Sequence, residues 1–143
     1  MKQINFDMDG TIADFYGVEG WLDDLQSSRV RPYVEAKPLF NMSLFARYLN
    51  KLQRNGYTLA VISWTAKDST PEYHEIVKLA KLNWLHRHLP SVHWDEIIIT
   101  DYGTPKSTLG SGILFDDNET IREDWGENAY DIDNIIGILK SLI

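Results

Sequence analysis

The stretch Thr58-Leu59-Ala60-Val61-Ile62-Ser63 is an almost unbroken apolar run that follows the turn pair Asn55-Gly56. A strand that is apolar at successive rather than alternate positions must be covered on both faces, as an interior strand of a parallel sheet is. Such a strand needs helices on either side, and the flanking sequence supplies them. Met42, Phe45, Leu49 and Leu52 recur at three- and four-residue steps, with Asn41 placed to cap the helix and Asn55-Gly56 to end it. Thr70-Pro71 opens a second helix that runs to about His88 and carries Ile76, Ala80 and Trp84 along one side. Residues 2–7, 96–99 and 112–116 read as further strands and 129–131 as a fifth. A short helix follows Asn118, and Ile135, Leu139 and Leu142 mark a C-terminal helix. Strands alternating with helices imply right-handed crossovers and an α/β fold with a doubly wound, Rossmann-like parallel sheet. Residues 12–40 lack a clean period and hold Gly17, Gly20, Pro32 and Pro38. They read as a loop-rich insertion with one short helix near 18–27, a small cap on a single domain of residues 1–143.

Composition narrows the chemistry. The absence of cysteine excludes a disulfide framework, a thiolate nucleophile and a thiolate-bound metal. With 14 Lys and Arg against 21 Asp and Glu, the net charge of −7 disfavours generic nucleic-acid binding. No apolar run approaches the 18 or so residues of a membrane span, and Met1 leads straight into the first strand pattern without a signal-like core. A soluble, cytoplasmic domain is the expectation.

In a doubly wound sheet, ligands bind beyond the carboxyl ends of the strands. Those ends carry Asp7, Met8, Asp9, Gly10 and Thr11 after the first strand, Ser63 and Trp64 after the second, and Asp116 and Asp117 after the fourth; Lys106 lies in the loop that follows the third. Carboxylates at the mouths of buried strands are costly unless paired or metal-bound, and hard oxygen ligands in this number favour Mg²⁺.

The Asp-Met-Asp-Gly-Thr stretch at 7–11, the apolar strand ending in Ser63, Lys106 and the Leu-Phe-Asp-Asp-Asn stretch at 114–118 resemble, in order, the four motifs of the haloacid dehalogenase (HAD) superfamily. The resemblance implies that Asp7 is the nucleophile, forming an aspartyl-phosphate. It implies that Asp9 is the general acid and base, with its backbone carbonyl on the metal. Gly10 would allow a sharp turn and Thr11 would fix the loop, both at the substrate; Ser63 would donate to a phosphoryl oxygen, and Trp64 would border the substrate. Lys106 would pair with Asp7 and the phosphate, and the Mg²⁺ ligands would come from Asp7, Asp9, Asp117 and Asp116, with Asp117 favoured as the direct one of the last pair. Four carboxylates against Lys106 and Mg²⁺ leave one negative charge, which a protonated Asp9 would cancel.

An acid at position 9 separates phosphatases and phosphomutases of this superfamily from its dehalogenases. The stretches at 7–15, DMDGTIADF, and 37–42, KPLFNM, are similar to the 5′(3′)-deoxyribonucleotidase branch, although the insertion between them is much shorter than that branch's cap. A small phosphorylated substrate, in particular a nucleotide, is therefore expected, at an open site whose lid is either residues 12–40 or a neighbouring subunit in an oligomer. A polynucleotide-end phosphatase is the nearest enzymatic alternative, and a non-hydrolytic phospho-acceptor module the alternative from another class. Phe15, Tyr16, Trp21 and Tyr33 either pack the insertion or stack on a base, and Arg29, Arg31 and Lys37 could meet a phosphate. His74, His86, His88 and His93 read as solvated surface residues.

Overall fold

A computed structural model describes residues 2–143. Five parallel strands, β1 (Gln3–Phe6), β2 (Thr58–Trp64), β3 (Glu96–Thr100), β4 (Ile113–Phe115) and β5 (Ala129–Tyr130), lie in the order β3-β2-β1-β4-β5. The apolar run at 58–63 is an interior strand, as its composition requires, with all five of its residues from Leu59 to Ser63 buried. The helices are α1 (Trp21–Gln26), α2 (Arg31–Glu35), α3 (Met42–Arg54), α4 (Pro71–His88), α5 (Glu119–Trp125) and α6 (Ile135–Leu142). None of the described helices is long and apolar enough to cross a membrane.

Side-chain caps start the helices where the sequence places them. Asn41 accepts from Leu44 N at 3.0 Å, Thr70 from Tyr73 N at 3.2 Å and Asn118 from Ile121 N at 3.1 Å. On the core side of the sheet, Phe6 packs against Phe45 of α3 and Phe115 of β4, and Leu49, Leu52, Ile135 and Leu139 complete the layer.

Two expectations about elements change. The segment between β1 and α3 contains two helices, because Arg31-Pro32 starts α2 with proline in the first turn. Arg29 and Arg31 both bind the buried Asp24 of α1, and Arg31 also pairs with Glu35 and donates to Glu19 O, so they clamp this segment together. The buried face of α4 is turned away from Ile76, which is half exposed, and is lined by Tyr73, Val77, Ala80, Lys81 and Trp84. Trp84 Nε1 donates to Ala36 O at 2.8 Å, tying α4 to the segment that follows α2.

Candidate active site

The site follows from strand register. Phe6 and Phe115 are partners across β1 and β4, so the next residues, Asp7 and Asp116, leave the sheet side by side. Backbone bonds hold both: Asp7 N donates to Phe115 O at 3.0 Å and Asp116 N to Tyr130 O at 3.1 Å. Carboxylate oxygens of Asp7, Asp116 and Asp117 lie within 4.8 Å of one another. Lys106, fully buried on a single 3₁₀ turn, places Nζ 3.0 Å from Asp7 Oδ1 and 2.7 Å from Asp116 Oδ2. The other oxygen of Asp116 accepts from Asn118 N, which leaves Asp117 the more available carboxylate.

Thr11 and Gly10 shape this cluster from behind. The buried Thr11 hydroxyl lies 3.1 Å from Asp7 Oδ2 and 3.3 Å from Asp117 Oδ1, and accepts from Asp117 N at 3.2 Å. Gly10 has φ +80°, and a Cβ there would sit 2.4 Å from Asp117 Oδ2, so both backbone and space demand glycine. Its N–H donates to Ala13 O. Both residues support the carboxylates, and neither lines the cleft.

The electrostatics match this crowding. Burial and the Asp7 charge push Asp116 up to about 6, against the pull of Lys106. The same two causes push Asp117 up to about 7. Burial opposes the charge on Lys106, but Asp7 and Asp116 outweigh it and hold the ammonium above its ordinary range. Burial likewise raises Asp9, against the pull of a second ammonium.

That ammonium belongs to Lys81, which the sequence reading did not single out. Its Nζ donates to Asp9 Oδ2 at 2.9 Å, Ser63 Oγ at 2.6 Å and Trp64 O at 2.8 Å. Four carboxylates therefore face two ammoniums, a deficit of two charges that one divalent cation offsets before a phosphate arrives. The donor set fits Mg²⁺: three converging carboxylates, all hard oxygen donors, with the Asp9 carbonyl free of backbone hydrogen bonds among the described residues. The Asp9 carboxylate stands apart from those three, held by Lys81.

A cleft of about 450 Å³ opens above Asp7, Asp9, Lys106 and Asp117. Trp64 and Thr65 form part of its wall, whereas Ser63 is 1% exposed and faces Lys81. Thr65, two residues beyond Ser63 and just past the end of β2, is the hydroxyl residue that lines the cleft. Trp64 Nε1 donates to Thr104 O, and its ring lies against Tyr102 with centroids 5.0 Å apart. Phe15 and Tyr33 are buried against each other, Tyr16 and Trp21 pack edge to face, and all four line the cleft. Arg29, Arg31 and Lys37 do not line the cleft. His74 is not simply solvated: its Nδ1 lies 2.8 Å from the Thr65 hydroxyl and 3.2 Å from Asp101.

Comparisons with known proteins agree with this architecture. No curated protein sequence matches the chain. Among solved structures, the D,D-heptose 1,7-bisphosphate phosphatase of Burkholderia thailandensis is similar over 99% of this chain and 97% of its own, with 12% identity and a TM-score of 0.58. The D,D-heptose 1,7-bisphosphate phosphatase of B. bronchiseptica, complexed with magnesium and phosphate, is similar over 99% and 98%, with 12% identity and a TM-score of 0.59. At that identity the likeness is one of fold. Residues 37–128, well over half of the chain, match the family model described as 5′ nucleotidase, deoxy (pyrimidine), cytosolic type C protein. The chain is thus a member of that nucleotidase family within the HAD superfamily, a hydrolase of phosphate monoesters.

Proposed function

We propose that the protein is a Mg²⁺-dependent phosphatase that transfers the phosphoryl group of a nucleoside or deoxynucleoside monophosphate to Asp7 and then hydrolyses the aspartyl-phosphate. The observation that carries this reading is Lys106, held 3.0 Å from Asp7 and 2.7 Å from Asp116 at the floor of the cleft. In the first step Asp7 attacks phosphorus and the bond to the ester oxygen breaks, with Asp9 giving that oxygen its proton. In the second, Asp9 takes a proton from water as the water attacks phosphorus, and Asp7 is released. Lys106 offsets the charge of the arriving phosphate. Mg²⁺, held by Asp7, Asp117 and the Asp9 carbonyl with Asp116 beside them, would neutralise charge on the transferring group.

Family membership supports a nucleotide substrate, and so do the ring faces of Tyr16, Trp21, Trp64 and Tyr102 around the cleft. Residues 12–40 serve as the lid of a single domain, and the family description places its members in the cytosol. Deoxynucleoside 5′- and 3′-monophosphates, assayed beside sugar phosphates with and without Mg²⁺, test the reading. Turnover of nucleotides that needs Mg²⁺ and is lost in Asp7→Asn is the expected result. Undiminished turnover in that variant would remove the nucleophile, and a preference for sugar phosphates would remove the substrate class.

A further inference from the structure

We propose that Lys81 is a positioning residue for proton transfer, holding the Asp9 carboxylate in the orientation that meets the leaving oxygen. The inference rests on the phosphatase reading above and adds to it a residue outside the four motifs. Lys81 is 1% exposed and lies outside the cleft wall, so it does not touch substrate. Its three N–H donors are all spent, on Asp9, Ser63 and Trp64, which leaves none for a phosphate. One Asp9 oxygen is thereby anchored, while the other, Oδ1, has no hydrogen-bond partner among the described residues and Asp9 borders the cleft.

The anchor itself is fixed from several sides. Val77 and Trp84 bury the same face of α4, and the Tyr33 ring lies with its centroid 5.3 Å from Nζ. Lys81 thus joins the loop after β1, the end of β2 and the segment between β1 and α3. A buried ammonium is costly unless its partners are well placed, and here all three accept at 2.6–2.9 Å, the one with a part in the chemistry being Asp9.

The leaving group separates positioning from simple structural support. A nucleoside alkoxide needs a proton as it departs, whereas p-nitrophenolate leaves without one. The experiment compares a deoxynucleoside monophosphate with p-nitrophenyl phosphate, both with Mg²⁺, in wild type, Lys81→Met and Lys81→Gln. The expected result is a kcat loss of about 100-fold on the nucleotide, in the range that general acid catalysis supplies, and a loss under about tenfold on p-nitrophenyl phosphate. Adding Lys81→Met to Asp9→Asn should cost nothing further on the nucleotide. Lys81→Gln, which keeps two donors, supplies the comparison if the methionine variant does not fold. Equal losses on the two esters, or no loss on either, would overturn the inference while leaving an active wild type as a phosphatase. A wild type inactive on both esters would remove the phosphatase reading and this inference with it.

Discussion

Lys106 and Lys81 hold different parts of one acidic site, the first binding the carboxylates that converge and the second the carboxylate that stands apart. The convergence has a cost that pH reveals. Asp116 and Asp117, pushed up to about 6 and about 7, keep protons in the folded protein that the unfolded chain has already released. Between about pH 4 and 7 the native state therefore binds more protons than the unfolded state, and stability falls as pH rises through that window. Metal-free protein should show a lower Tm near pH 8 than near pH 5, and Mg²⁺ should raise the Tm more at the higher pH. The fall should be smaller in Asp117→Asn; a metal-free Tm that rises steadily across this range would contradict the crowding. Asp7, Asp9, Lys106, Asp116 and Asp117 were legible in the sequence because each follows a strand or a motif. Lys81 was not, because one lysine in a helix normally reaches solvent. The signal that could have found it is its place beside Val77 and Trp84, at the four- and three-residue spacings of one face.

At the scale of elements, the helices divide by how plainly one face declares itself. In α3 the apolar spacing gives the buried face directly: Phe45, Leu49 and Leu52 are inaccessible. In α4 the pattern misleads, because Ile76 and Leu79 are 50% and 60% exposed while a lysine occupies the core side. Urea denaturation should separate the two. Leu49→Ala should cost about 2–5 kcal/mol, as a cavity in a closed core does. Leu79→Ser should stay within about 0.5 kcal/mol. A large loss from Leu79→Ser would show that the outer face of α4 is covered in solution. The second short helix, α2, escaped the sequence reading because its five residues are too few to show a period, and its order comes from the ion pairs of Asp24 with Arg29 and Arg31.

For the whole molecule, the order β3-β2-β1-β4-β5 does the assembling. It sets β1 between β2 and β4, so the ends of three neighbouring strands deliver Asp7, Trp64 and Asp116 to one cleft. Alternation of strands and helices made that arrangement legible in advance, whereas the position of each side chain within the cleft depended on register. Ser63 lies inside β2 and Thr65 just past its end, yet only Thr65 borders the cleft, a difference of two residues along the chain. The central claim is that Asp7 itself carries the phosphoryl group. The stereochemical course at the phosphorus of a thiophosphate ester made chiral with oxygen isotopes, hydrolysed in water carrying the remaining isotope, tests it directly, since each in-line displacement inverts the centre. Two displacements, through Asp7 and then water, predict net retention; net inversion would mean that water attacks the ester in a single step and that Asp7 is not the nucleophile.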